Sequence, residues 1–266
     1  MSEVGEVIQG NCLEELSNME ASSVDLVVAD PPYNLSHGNN MGWEDKNWNK
    51  VDEDWDSFTV DDYMSFTQNW LKECKRVLKD GGGIFTFGTY HNIGFVNVVL
   101  QHLSMDILNE IVWYKRNAFP NLSTTRLTAS HEDILWAYKG DDKNYTFNYE
   151  WMKGTNWEHD SFDKNDTQVR TVWNIPTNKD ESETKHGDHP TQKPLSVIDR
   201  IVKMGSNEGD VVLDPFAGSG TTLVSAKKNN RKYIGIEKEG DYVEICERRL
   251  NAVETEEEQE KGIMDY

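Results

Sequence analysis

Two β-branched runs in this chain each end in an aspartate followed by proline, and that pattern narrows the folds open to it. Val24-Asp25-Leu26-Val27-Val28-Ala29 leads into Asp30-Pro31-Pro32-Tyr33. Val211-Val212-Leu213 leads into Asp214-Pro215-Phe216-Ala217-Gly218-Ser219-Gly220-Thr221-Thr222. Short apolar runs bounded by turn residues read as buried strands. Both motifs therefore open loops, and both are expected to project from the same end of a parallel sheet. In an open α/β sheet that end is where ligands bind.

The rest of the chain alternates to match. Val7-Ile8 reads as a short strand followed by a helix start before Leu16. Thr59 to Leu78 has helical apolar spacing through Tyr63, Phe66, Trp70, Leu71, Cys74 and Val77. Gly81-Gly82-Gly83 reads as the end of that helix, with Ile84-Phe85-Thr86-Phe87 starting a strand. Further helices are expected at Ile93–Leu103, Leu195–Met204, Thr221–Asn229 and Tyr242–Val253. Further strands are expected at Ile107–Tyr114, His131–Tyr138 and Tyr233–Ile236. This is the pattern of an α/β fold with a parallel-dominated, Rossmann-like sheet and helices on both faces. Gly38 to Asp56, with Trp43, Trp48 and Trp55, reads as a long ordered loop over the site. Gly140 to Asp188 is polar, irregular and studded with aromatics, as an inserted lobe would be.

With 266 residues the chain suits one well-buried domain carrying such an insertion. Aromatic residues make up 11% and support a folded core despite a hydrophobic fraction of only 36%. No stretch reads as a signal peptide or approaches the roughly 18 apolar residues of a membrane span, so a soluble cytoplasmic protein with no membrane partner is expected. Cys12, Cys74 and Cys246 lie far apart and match neither a zinc site nor a disulfide framework.

The net charge of -20 runs against a nucleic-acid partner, whose phosphates usually face a basic surface. Part of it lies in Glu254-Thr255-Glu256-Glu257-Glu258-Gln259-Glu260, which reads as a solvated tail. Any charge favourable to DNA must be local, from Lys115, Arg116, Arg126, Lys139 and Lys193. Lys227, Lys228, Arg231 and Lys232 read as a solvated face.

The second motif has the chemistry of a cofactor turn. Gly218 and Gly220 permit a sharp bend and close approach by a ligand. The Lys-Ser or Lys-Thr pair of a phosphate loop is missing, as is the third glycine of a dinucleotide fingerprint. Asp214 stands before the turn, suited to a cationic ligand. Tyr233-Ile234-Gly235-Ile236-Glu237 ends in a carboxylate about twenty residues on, the position that takes ribose hydroxyls. A nucleoside cofactor fits both.

The first motif suits a planar amine. The exocyclic nitrogen of a base is a weak nucleophile because its lone pair is delocalised into the ring. Asp30 and the Pro31 carbonyl offer acceptors for its hydrogens, and Tyr33 offers a face for a flipped base. A metal role for Asp30 lacks partners at ligand spacing. A covalent route through carbon 5 of cytosine needs a cysteine after proline, and no cysteine here follows one. His131 and His189 read as hydrogen-bonded supports rather than general bases, because the amine proton leaves after the methyl has moved.

At Asp30 to Tyr33, Phe216 to Gly220 and His189-Pro190-Thr191-Gln192-Lys193-Pro194 the chain resembles DNA amino-methyltransferases of the permuted β group. In them the catalytic motif precedes the cofactor turn. The resemblance implies S-adenosylmethionine as cofactor and DNA, duplex or single-stranded, as partner, with a homodimer as the frequent assembly. It implies catalytic roles for Asp30, Pro31, Pro32 and Tyr33. It implies a cofactor site of Asn11, Cys12, Asp30, His189, Thr191, Lys193, Asp214, Phe216, Ala217, Gly218, Ser219, Gly220, Thr221 and Glu237, with no metal. Residues 1–253 would form the methyltransferase domain, about 115–188 would include target recognition, and 254–266 would be the acidic tail. The family's Gly-Asp-Cys is here Gly10-Asn11-Cys12, an amide in place of a carboxylate.

The aspartate heading the first motif resembles adenine-N6 enzymes; cytosine-N4 enzymes more often carry serine there. Trp113-x-Lys115-x-Asn117 with Pro120-Asn121 resembles a stretch of GATC-type enzymes that accept single strands, which an acidic surface would favour. A restriction-modification or phage setting is the expected context. Two rivals remain at this point. Protein glutamine methyltransferases share the chemistry but carry the glycine turn first. An acidic DNA mimic would explain the charge, yet has no need of Asp30, Tyr33, Gly218, Gly220 and Glu237 together.

Overall fold

The structure, a computed structural model, describes residues 5–33, 59–118, 120, 125–154, 167–177, 181–187 and 191–253. The tryptophan-rich segment at 38–56, His189 and the acidic tail lie outside the described residues.

The strands are β1 (Gly5–Gln9), β2 (Val24–Ala29), β3 (Leu78–Gly88), β4 (Asp106–Tyr114), β5 (His131–Tyr138), β6 (Val172–Asn174), β7 (Val211–Asp214) and β8 (Lys232–Glu237). They form one sheet in the order β1-β8-β7-β2-β3-β5-β4-β6. The longer helices are α1 (Cys12–Asn18), α2 (Val60–Val77), α3 (Ile93–His102), α6 (Leu195–Gly205), α7 (Thr221–Lys228) and α8 (Gly240–Asn251), with α4 (Tyr149–Gly154) and α5 (Glu181–Thr184) as short turns between α3 and α6. From β2 the chain moves through α2 to β3 on one side. From β7 it moves through α7 to β8 on the other. The junction of β2 and β7 is thus the point where strand order reverses, the usual ligand crevice of such sheets.

All neighbouring pairs are parallel except those made by β5, which runs antiparallel to both β3 and β4. The sheet is mixed for a local reason. β4 and β5 are successive strands, and among the described residues between them there is no helix, so the second returns beside the first. Two-residue alternation along β2 feeds two cores. Val27 and Ala29 pack with α1, α2 and α3 on one face, whereas Leu26 and Val28 pack with α6 on the other.

Helix α2 shows how composition and boundary agree. Thr59 Oγ1 accepts from the amide of Asp62 at 3.2 Å, Asp61 and Asp62 sit in the first turn, and Lys75 and Arg76 sit in the last. Tyr63, Thr67, Trp70, Leu71, Cys74 and Val77 form its buried stripe. The helix ends at Val77, ahead of the triple glycine. Leu78 already pairs with Val24, and Gly81 to Gly83 lie inside β3. The glycines accommodate a register shift opposite Val24 and Leu26, and Gly81 takes φ +83°.

The described residues of the stretch read as an inserted lobe pack on the sheet. β6 adds to the edge of β4, Trp173 and Met152 are buried, and Tyr145 and Phe147 pack on Trp136. Its aromatics bring it onto the core. Among the described residues no helix is long and apolar enough to cross a membrane.

Candidate active site

Because β2 and β7 are hydrogen-bonded neighbours, with Val27 opposite Leu213, the two aspartate motifs leave the sheet side by side. β8 follows β7, and Glu237 ends it one strand further on. These strand ends border a single cavity of about 530 Å³. Asn11, Cys12, Asp30, Pro31, Pro32, Tyr33, Thr191, Lys193, Asp214, Phe216, Ala217, Gly218, Ser219, Thr221 and Glu237 all line it. Among the described members of the sequence-predicted set, Gly220 does not. It caps α7 with φ +79°, and a Cβ there would lie 2.2 Å from Cys246 Sγ. Its role is close packing of turn against α8.

The turn is shaped by carboxylates. The Gly218 amide donates to Glu237 Oε2 at 2.7 Å, and the Glu239 amide donates to Oε1 at 2.8 Å. Burial raises the Glu237 carboxyl above its ordinary range, and these amides pull it back. Asp214 Oδ1 accepts from the Phe216 amide at 3.0 Å. Burial drives the Asp214 carboxyl up to about 7; the Thr222 hydroxyl and the Phe216 amide oppose the rise, and the charges of Asp30 and Glu237 add to it. A cation beside Asp214 would relieve that cost. Phe216 forms an apolar wall, edge-on to Trp70 with ring centres 5.3 Å apart.

Asn11 caps α1, its Oδ1 accepting from the Leu13 amide at 2.9 Å. A carboxylate is not required for that bond, so the departure from Asp costs the helix little. Cys12 is held at a pKa of about 12 by burial, which leaves it a neutral wall residue.

At the other end of the cavity, Tyr33 donates its hydroxyl to Asp30 Oδ1 at 2.5 Å, with Glu132 Oε2 at 3.3 Å. Lys193 Nζ donates to Asp30 Oδ2 at 2.5 Å and stands 3.5 Å from Glu132 Oε2. Lys115 bonds the other oxygen of Glu132. Burial works against the charge on Lys193, but Asp30 and Glu132 outweigh it and raise its pKa. Burial likewise opposes ionisation of Glu132, and Lys193 and Lys115 reverse the balance and lower its pKa. The Tyr33 phenol is raised, first by burial and then by the two carboxylates. Lys193 also lies 5.3 Å from the centre of the Tyr33 ring.

Several contributors were not legible as site residues. Glu132 is buried at the start of β5, between His131 and Asp133 and ahead of the run Ile134–Tyr138, where a charged residue reads as the polar end of a strand. Tyr63 of α2 donates to the Pro32 carbonyl at 2.7 Å and holds the Asp30–Tyr33 loop. Phe66, Phe87, Gln192 and Tyr242 also line the cavity. Conversely, three lysines expected to face phosphate are committed elsewhere. Lys193 is 6% exposed inside the site. Lys115 is bound to Glu132, and Lys139 donates to the Leu78 carbonyl at the opposite end of the sheet. Arg116 and Arg126 are exposed beyond the site end of β4 and ahead of β5.

A family model described as DNA methylase, of the N6/N4 type, matches residues 24–248. The chain is 39% identical over 253 residues to the Type II methyltransferase M.HinfI of Haemophilus influenzae, covering 93% of this chain and 68% of that protein. It is 39% identical over 249 residues to the Type II methyltransferase M2.LlaDCHI of Lactococcus lactis subsp. cremoris, covering 92% and 88%. Its fold superposes on M1.HpyAVI, solved as a complex with SAM, with a TM-score of 0.65 at 24% identity, covering 92% and 98%. The chain belongs to the N6/N4 family of DNA methylases, enzymes that methylate the exocyclic amines of bases.

Proposed function

We propose that this chain transfers a methyl group from S-adenosylmethionine to the N6 amine of adenine in DNA, at a specific site. The observation that carries this is the shared cavity, with Asp30 at one end and Asp214, Gly218 and Glu237 at the other. A strand-end carboxylate for ribose, a buried aspartate of raised pKa for a cationic group, and the Phe216 wall together fit S-adenosylmethionine. That the similar M1.HpyAVI fold was solved with SAM supports the same choice. Bound there, the cofactor supplies an electrophilic methyl on sulfur.

The chain's own residues then have distinct tasks. Glu237 and the Gly218 turn hold the nucleoside end, and Asp214 faces the charged end. Asp30 and the Pro31 carbonyl accept the two amine hydrogens, which turns the nitrogen lone pair towards the methyl. Tyr33 stacks on the extruded base. The nitrogen–carbon bond forms as the carbon–sulfur bond breaks, its electron pair returning to sulfur. The extra proton on nitrogen leaves afterwards to water. Holding two reactants in line accounts for most of the acceleration such a site needs. The aspartate at position 30 favours adenine over cytosine. Segment 115–188 would read the target, and the two Type II relatives support a site-specific role of the same kind.

Incubation with methyl-labelled S-adenosylmethionine and unmethylated duplex or single-stranded DNA, followed by digestion to nucleosides, tests this. Label in N6-methyladenine is the expected result. Label in N4-methylcytosine would change the base, and no label in either strand form would overturn the proposal.

A further inference from the structure

Each oxygen of Asp30 already accepts one hydrogen bond in this structure. Tyr33 holds Oδ1 and Lys193 holds Oδ2, each at 2.5 Å. Each carboxylate oxygen can accept a second bond, but the Tyr33 hydroxyl is already seated on Oδ1; if Asp30 is the acceptor for the base amine, as the proposed function requires, amine and hydroxyl compete for that oxygen. Lys193 is the less able to move. It is buried, it lies near two carboxylates, and its ammonium sits over the rings of both Tyr33 and Phe87. The Tyr33 hydroxyl has an alternative acceptor already in place, Glu132 Oε2 at 3.3 Å. The far oxygen of Glu132 is pinned by Lys115, so the near one stays aimed at Tyr33 and Lys193.

We propose that Glu132 is a positioning residue for the methyl transfer: it holds Lys193 on Asp30 Oδ2 and takes the Tyr33 hydroxyl when the base amine claims Asp30 Oδ1. A buried hydroxyl left without an acceptor would oppose that exchange. Glu132 removes the opposition, because its Oε2 lies 3.3 Å from the hydroxyl that now sits 2.5 Å from Asp30 Oδ1. Lys193 meanwhile keeps Asp30 oriented through Oδ2, so that Oδ1 is the oxygen offered to the substrate. Tyr33 thereby occupies the amine position in the free enzyme and vacates it on base entry.

The test compares Glu132→Gln, Tyr33→Phe and the double variant in methyl transfer to unmethylated duplex DNA, with S-adenosylmethionine affinity measured beside it. Glutamine keeps the shape but can face only one of the surrounding donors with its oxygen. Glu132→Gln is expected to bind the cofactor within about twofold of the parent and to lose about ten- to a hundredfold in kcat. Its alkaline limb should move to lower pH, because Lys193 loses one of the two carboxylates that raise its pKa; a merely structural loss would scale activity without moving that limb. In the Tyr33→Phe background, where no hydroxyl needs a receiver, the same change should cost less than about fivefold. Tyr33→Phe alone should lower the KM for DNA, since a competitor for Oδ1 is gone. It also tests the idea if Glu132→Gln does not fold, since a raised KM there would overturn it. Parental kcat in Glu132→Gln, or an equal loss in both backgrounds, would overturn it too. A parent protein that methylates no DNA would instead remove the function on which the idea rests.

Discussion

Asp30 and Lys193 stand 163 residues apart in the chain and meet at 2.5 Å between Oδ2 and Nζ. The contact joins the exit of β2 to the turn ahead of α6, so the Asp30–Tyr33 loop and the Thr191–Lys193 segment, which border one cavity, are tied together. Breaking one partner of such a pair leaves charge without compensation in a buried setting.

Lys193→Met should lower stability by about 3 kcal/mol, because Asp30 and Glu132 would then share a partly buried site with one cation fewer. Denaturant unfolding checks the size. The pH dependence has a definite sign. Lys193 is raised above its ordinary 10.5, so its contribution is complete below that pH and lost as pH climbs through the folded value. Glu132 is lowered from 4.5, so its contribution is present above that pH and lost as pH falls through the folded value. Both limbs should shrink in Lys193→Met.

Cofactor affinity should depend on Asp214. Its carboxyl titrates near 7, so below that pH it is mostly neutral and a cationic ligand must expel a proton to pair with it. Affinity for S-adenosylmethionine should therefore fall on acidification from pH 7.5 to 5.5, approaching about tenfold per pH unit. Asp214→Asn should bind more weakly at pH 7.5 and show a flatter profile. Calorimetric titrations across that range decide it, and an unchanging parent profile would count against the assignment.

Gly220→Ala should cost about 2–3 kcal/mol, from a left-handed backbone carrying a side chain and from overlap with Cys246. Thermal unfolding should show a melting point lower by several degrees. Cys246→Ala combined with it should recover the overlap portion but not the backbone portion.

Tyr33→Ala should raise the KM for DNA about ten- to a hundredfold, the loss of one base–aromatic stack. Affinity for S-adenosylmethionine should stay near that of the parent, since the cofactor's proposed contacts lie on the β7 and β8 side. Steady-state kinetics and a cofactor titration separate the two effects.

Much of the sheet was legible because its strands are β-branched runs with sharp exits. β2 and β5 fall on the predicted residues, Val24–Ala29 and His131–Tyr138. The triple glycine misled, because a bulge within a strand and a helix terminus ask for the same residue. That Asp30 and Asp214 leave the same end of the sheet followed from the strand exits; that β2 and β7 are neighbours did not. Lys115 read as surface charge, and Lys193 as both a cofactor-site residue and a possible phosphate contact, because nothing local shows that Asp30 and Glu132 await them. Glu132 was hidden for the converse reason: its partners come from the β2 exit, the β4 exit and the turn before α6, and only the closed sheet brings them to one place.

The most direct test of the central claim is methyl transfer by Asp30→Asn, measured with labelled S-adenosylmethionine on unmethylated DNA beside its cofactor affinity. If Asp30 receives the base amine, the variant should bind the cofactor within about threefold of the parent and transfer methyl at least about a hundredfold more slowly. Transfer at the parental rate by a variant that binds normally would show that the amine is held elsewhere.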